Sequence, residues 1–216
     1  MGTNLSRRRV VAGLAGVFVM GPAWAARLLQ ETPRQTTGPF YPTSLPLDHD
    51  NDLTRVQGRP SVAAGEVTDL YGRVLDINGR ELSNMRVEIW QCDANGRYHH
   101  PGDSRDGPLD ENFQGFGRTH TDAQGRYRFR TIRPVPYPGR TPHIHMAVFP
   151  EGTQAFVTQL YVKGEARNAG DFLFRHIPVE RRHLVLADFA PAQDGGATLA
   201  ANFDIVLGGA DGTPRA

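Results

Sequence analysis

Two histidines, His143 and His145, stand one residue apart, and a tyrosine, Tyr137, precedes them in the same nine-residue stretch. A second tyrosine, Tyr98, lies upstream in Asn95-Gly96-Arg97-Tyr98-His99-His100. Residues i and i+2 of a strand project to one face, so His143 and His145 can address a single metal ion if their segment is extended. The apolar run Met146-Ala147-Val148-Phe149 supports a strand there, and Pro142 suits its start, where no ladder donor is needed. Prolines 134, 136, 138 and 142 stiffen the connection that carries Tyr137.

The donor chemistry narrows the metal. Zinc sites favour Cys, His and carboxylate, and Fe(II) oxygenases use two His and a carboxylate. Phenolate is a hard anionic oxygen, and two of them suit a hard trivalent ion, Fe(III). Such an ion lowers the phenol pKa from about 10, so both tyrosines can ionise at neutral pH. Two phenolates and a hydroxide balance the charge, which a low-dielectric pocket tolerates better than an uncompensated ion. Other readings of the same residues stay open at this point. The H-x-H pair also fits a polar strand face or an incidental zinc pair. Either tyrosine fits a packing anchor. An Fe(II) oxygenase would need a carboxylate soon after the histidines, and Glu151 is the one at hand.

Longer segments carry a resemblance. Val87-Glu88-Ile89-Trp90-Gln91 through Tyr98, Gly125-Arg126-Tyr127 through Pro134, Tyr137-Pro138 and His143-Ile144-His145 resemble the intradiol ring-cleavage dioxygenases, most of all their protocatechuate-type branch. Shorter matches, in order, are Gln35-Thr36-Thr37-Gly38-Pro39-Phe40, Leu109–Phe113, Thr158-Gln159-Leu160-Tyr161 and Phe203–Leu207. The resemblance implies an Fe(III) enzyme that cleaves a catechol between its hydroxyl-bearing carbons with O2. Tyr98, Tyr137, His143 and His145 would then be the iron ligands. Tyr98 would be the axial phenolate that leaves when substrate arrives, and Tyr137 the equatorial one that stays. Arg140 would stand beside the substrate ring and Gln159 near the iron-bound ligand. One departure stands out: only five residues separate Tyr137 from His143, and Gly139 occupies the place of an aromatic residue. The shortened loop should open the pocket wall to bulkier or substituted catechols.

The elements that position these residues follow from the rest of the chain. Its 216 residues are enough for one domain with a full core. Residues 1–25 read as a twin-arginine-type signal peptide: Ser6-Arg7-Arg8-Arg9-Val10-Val11, an apolar run to Met20, and Ala23-Trp24-Ala25 for cleavage. The run is short for a membrane span, so none is expected after processing, and the mature protein is expected in the periplasm. Removing the leader takes three arginines and no acids from 24 bases and 23 acids, leaving 21 against 23. With no basic run, nothing points to nucleic acid. Cys92 is the single cysteine, which excludes an intrachain disulfide and suggests a small buried side chain.

Residues 26–66, rich in Pro, Thr, Asp and Gly, read as an extended arm, with Tyr41 as its anchor. From 67 to 216 the pattern is all-β. Strands are expected at 70–75, 85–91, 143–149, 156–162 and 202–207, with turns at Asn78-Gly79 and Asn95-Gly96. Residues 118–121 and 127–132 read as a hairpin about 122–125. The Gly-rich loop 99–117 is long enough to be functional. Only 171–186 and 190–200 have room for short helices. Frequent turns between short strands imply a β-sandwich. His99 and His100 read as pocket-rim or surface residues beside filled ligand positions. His120 falls on a predicted strand, and His49, His176 and His183 sit among polar residues. The family contains homo- and hetero-oligomers, and a homo-oligomer is among the assemblies it implies. The competing class is an exported, non-enzymatic β-sandwich that binds aromatics or polysaccharide through a vestigial metal site.

Overall fold

The computed structural model describes residues 28–46, 48–152, 154–193 and 196–208. The leader expected over residues 1–25 lies outside the described residues. Strands β1 (Val67–Asp76), β2 (Arg86–Trp90), β3 (Phe116–His120), β4 (Arg126–Ile132), β5 (His143–Phe149) and β6 (Phe156–Val162) carry most of the chain. Short strands β7 (Leu186–Ala187), β8 (Phe189–Pro191), β9 (Leu199–Asn202) and β10 (Ile205–Leu207) complete it. They form two five-stranded sheets. In the first, β1 pairs antiparallel with β4 on one side and in parallel with β9 and then β10 on the other; β8 closes the β9 edge. The second runs β3-β2-β5-β6-β7 and is antiparallel except at β7.

Alternation within each strand decides what the sandwich buries. Leu70, Val74, Phe129 and Ile132 face Val87, Ile89, Ile144, Met146, Val148, Phe156 and Leu160 in one cluster. Each such side chain contributes roughly 1.5–3 kcal/mol on leaving water. Because Ile144, Met146 and Val148 point into this core, His143 and His145 must point to the opposite face of the second sheet. That outer face is nevertheless covered, since every residue of β5 except Phe149 is buried. The cover is the arm. Leu29 N donates to Ile77 O, Thr32 N to Val206 O and Gln35 N to Val157 O, so the arm crosses from the first sheet to the second. Tyr41 then donates to the buried carboxylate of Glu88 at 2.7 Å, which Arg118 also binds.

Two expectations are corrected. Residues 116–120 and 126–132 do not form a hairpin: β3 pairs with β2 and β4 with β1, so the turn at 122–125 carries the chain from one sheet to the other. Local turn chemistry predicts a reversal, but it cannot say which strand the returning segment joins. The segment 190–200 holds no helix among its described residues; it contributes to the β8–β9 hairpin, whose inner strand pairs with β1. Pro191, Gly195 and Gly196 disfavour a helix there, and the strands on either side pair instead. In the 171–186 region, α1 (Phe172–His176) and the 3-10 turn Val179–Val185 do form. No helix among the described residues is long and apolar enough to cross a membrane.

Candidate metal centre

Strand register sets the side chains in rows. Trp90 on β2, His145 on β5 and Gln159 on β6 are direct neighbours across three strands, and His143 is opposite Tyr161. Tyr98 follows β2 after the Asn95-Gly96 turn, with its backbone N–H bound to Asp103 Oδ2 at 2.7 Å. Tyr137 sits in a tight turn in which Arg140 N donates to Tyr137 O.

The four sequence-predicted ligands come together. Their rings form a closed circuit: His143 to His145, 4.9 Å between centroids; His145 to Tyr98, 6.5 Å; Tyr98 to Tyr137, 5.6 Å; Tyr137 to His143, 5.5 Å. His143 Nδ1 lies 2.7 Å from Thr141 O, which can only accept, so Nδ1 carries the proton and Nε2 keeps its lone pair. That lone pair faces His145 Nε2 at 3.3 Å. Burial, helped by the Arg140 charge, pulls the pKa of His143 down to about 4, so its ring is neutral at neutral pH. Burial also holds His145 well below its usual value, with His143 and Arg140 adding to the effect. The Tyr98 hydroxyl is buried without a hydrogen-bond partner, and so is His145 Nδ1. Burial pushes the Tyr98 phenol far above its usual value, so a phenolate there needs a cation beside it. Two neutral imidazoles, one orphaned phenol and a second phenol around one point fit a hard trivalent ion. The two phenols fall outside zinc's preference for Cys, His and carboxylate. Glu151, the carboxylate an Fe(II) reading would need, is exposed in the turn beyond β5, whereas both histidines are about 1% exposed.

Arg140 is anchored on every nitrogen. Nε donates to Asp171 Oδ2 at 2.8 Å, Nη2 to Gln159 Oε1 at 2.6 Å and Nη1 to the Tyr137 hydroxyl at 3.4 Å. Gln159 is locked in turn. Its Oε1 also accepts from Tyr161, and its Nε2 donates to Thr36 O on the arm. Arg140 and Gln159 thus stand beside the four rings, as the sequence motifs suggest.

Asp171 went unnoticed at the sequence level. Its fully buried carboxylate accepts from Arg140, from Thr141 N and from Phe174 N, so it pins the guanidinium and caps α1 at once. An N-cap signal is readable there; the Arg140 pairing is not, since the two residues stand 31 positions apart. The Asp103–Arg105 pair was also missed. Arg105 grips Asp103 with Nε and Nη2 and lays its guanidinium 4.9 Å from the Tyr137 ring centre.

The arm completes the enclosure. Phe40 stacks on Tyr98 at 4.5 Å, and Trp90 stacks on His145 at 4.9 Å. Gly38 has φ +69°, and a Cβ there would meet His145 Cε1 at 3.2 Å. Gly38→Ala is therefore expected to add roughly 1–2 kcal/mol of backbone strain and to press on a ligand ring. A thermal melt and the visible spectrum of the iron-loaded protein would both register it; no change in either would mean the arm does not seat as described.

The remaining histidines stay out of the cluster. His99 and His100 line a cavity of about 660 Å³ that includes Phe40, Trp90 and Tyr98 but not Tyr137, His143, His145 or Arg140. His120, His176 and His183 are exposed, and His49 is partly so. Cys92 is buried, with its thiol directed at Val135 O.

Comparisons with known proteins place the chain among dioxygenases. Residues 36–209 match the protein-family profile described as Dioxygenase. The protocatechuate 3,4-dioxygenase beta chain of Burkholderia cepacia is 41% identical over 206 residues, covering 90% of this chain and 86% of that one. The alpha chain from the same organism is 36% identical, covering 86% and 96%. Among solved structures, the dioxygenase domain of a dioxygenase carbohydrate-binding protein fusion from Streptomyces sp. SirexAA-E superposes with a TM-score of 0.65. It shares 29% identity over 84% of this chain and 100% of that one.

Proposed function

The chain belongs to the intradiol ring-cleavage dioxygenase family, oxidoreductases that open catechol-type rings, and from that premise we propose that it is an Fe(III) enzyme whose iron is held by Tyr98, Tyr137, His143 and His145. The observation that carries the proposal is the closed circuit of four rings with two facing imidazole nitrogens and an orphaned buried phenol. When bound, ferric iron supplies Lewis acidity toward a catecholate and draws electron density from its ring, which opens the way to O2. The overall conversion adds both oxygen atoms of O2 to the catechol and yields a cis,cis-muconate-type diacid.

The chain's own residues divide the remaining work. We assign the departing phenol to Tyr137 and the fixed one to Tyr98, the reverse of what the sequence resemblance implies. Tyr98 is 3% exposed, stacked under Phe40 and tied through its backbone to Asp103. Tyr137 is only half-buried, and the exposed Pro138 and Gly139 follow it, with nothing within 4 Å of a Cβ at Gly139. A side chain that must swing needs that room. As the diol binds, Tyr137 Oη takes up one catechol proton, and Arg140 Nη1 is in place to hold the freed hydroxyl. Arg140 then stabilises negative charge on the ring as it ketonises, its direction fixed by Asp171 and Gln159. Phe40, Trp90 and the arm exclude water. The family assignment and this ligand circuit leave the vestigial binding-module reading without support.

A visible spectrum of the purified iron-loaded protein, before and after adding catechol without oxygen, tests the proposal. A tyrosinate-to-Fe(III) band that shifts on addition is expected. A protein that stays colourless after Fe(III) loading would overturn the ligand set.

A further inference from the structure

We infer that Arg105 is a specificity-determining residue that binds the carboxylate of an acid-bearing catechol, an assignment that rests on the ferric ring-cleavage reading above. Two guanidiniums touch Tyr137, and they differ in what they leave free. Arg140 spends all three nitrogens on Asp171, Gln159 and Tyr137, and its side chain is 8% exposed. Arg105 uses Nε and Nη2 on Asp103, and its Nη1 makes no hydrogen bond among the described residues. Its side chain is 27% exposed, and its guanidinium lies 4.9 Å from the Tyr137 ring centre and 5.8 Å from that of Phe40. An oriented, charged donor therefore stands uncommitted at the edge of the site.

The cation is fixed independently of the phenol it covers. Asp103, whose side chain is fully buried, receives Arg105 and the Tyr98 backbone N–H, so Arg105 keeps its place when Tyr137 moves. The wall beyond Tyr137 is low, because Pro138 and Gly139 are exposed and nothing lies within 4 Å of a Cβ at Gly139. A catechol seated among the ligand rings can thus direct a ring carboxylate, or one on a short side chain, toward this mouth. There a guanidinium offers a charge-assisted hydrogen bond. Phe40 supplies an apolar flank for the intervening carbons. A neutral substituent of the same size gains only the apolar contact.

The test is an anaerobic spectral titration of the iron-loaded protein with two acids, 3,4-dihydroxybenzoate and 3-(3,4-dihydroxyphenyl)propanoate, against 4-methylcatechol and 4-ethylcatechol. Steady-state kcat and KM would be measured for the same four compounds. The wild type is expected to bind the acids about ten- to hundredfold more tightly than their neutral counterparts, the value of a hydrogen bond to a charged group. In Arg105→Gln that ratio should fall toward one, mainly through KM, and Arg105→Lys should restore part of it. An unchanged ratio in Arg105→Gln would overturn the inference. So would a wild type that does not discriminate, or equal weakening of all four ligands, which would mark Arg105 as a clamp for the 99–117 loop alone. If no catechol perturbs the wild-type spectrum, the ferric reading itself falls and takes this inference with it.

Discussion

Tyr98→Phe is expected to cost the protein its ferric centre, while Tyr137→Phe keeps iron and loses turnover. Tyr98 is the buried partner of the pair, at 3% exposed, and its oxygen has no other use in the structure. Losing it removes one of the two anionic donors of the proposed site, the one whose oxygen is buried without another partner. The drop in iron affinity should exceed the roughly 10–100-fold typical of losing a mere supporting contact to a ligand. Tyr137 stands at the open side, where water or hydroxide can fill its place. Its loss should leave iron bound with a weakened visible band, and should slow turnover by roughly 10²–10⁴-fold, the usual contribution of a positioned proton acceptor. Iron content, the anaerobic spectrum and single-turnover rates on both variants decide the matter. The opposite pattern would restore the roles that the sequence resemblance implies. Equal effects would mean that the two phenols share no such division.

The second large effect is expected at Asp171, which acts on the proposed site through Arg140. Its carboxylate holds Arg140, the Thr141 N–H and the first turn of α1 together. Asp171→Ala leaves a buried guanidinium unpaired, which costs about 3–5 kcal/mol, and the lost helix cap adds to this. Asp171→Asn separates the two roles. The amide can still cap Phe174 N, but it cannot neutralise Arg140, so the fold should survive with a reduced kcat. An Asp171→Asn enzyme within twofold of wild-type kcat/KM would remove Arg140 orientation from the mechanism. Acid tests the same pair. Burial alone would raise the Asp171 carboxyl, but the Phe174 and Thr141 N–H groups and Arg140 outweigh it and hold it below its usual value. A depressed carboxyl contributes stability that is complete above its unfolded pKa of about 4 and lost as pH falls through the folded value. Wild-type melts should therefore soften below about pH 4, and Asp171→Asn should lose that component of the slope.

Much of this protein is local in origin and could be read from the chain. The H-x-H spacing, the apolar residues interleaved with it, and the Asn78-Gly79 and Asn95-Gly96 turns specify strands and reversals through contacts only a few residues long. The donor types of Tyr98, Tyr137, His143 and His145 suit a hard trivalent metal without reference to any fold. Non-local pairing escaped the same logic. Residues 118–132 read as one hairpin, yet β3 and β4 serve different sheets. Residues 190–200 have room for a short helix, yet they contribute to a sheet edge.

The site divides along the same line. Which residues could carry the chemistry is a property of side-chain type and spacing, and the sequence alone named them. Which phenol is enclosed and which has room to move, which acid pins Arg140, and which guanidinium keeps a free donor all depend on the arm and the 99–117 loop folding over the outer face of the second sheet. The Asp103–Arg105 pair is local, but the pinning of Arg140 and of Gln159 joins residues 31 and 123 positions apart along the chain, so only the tertiary structure could decide it.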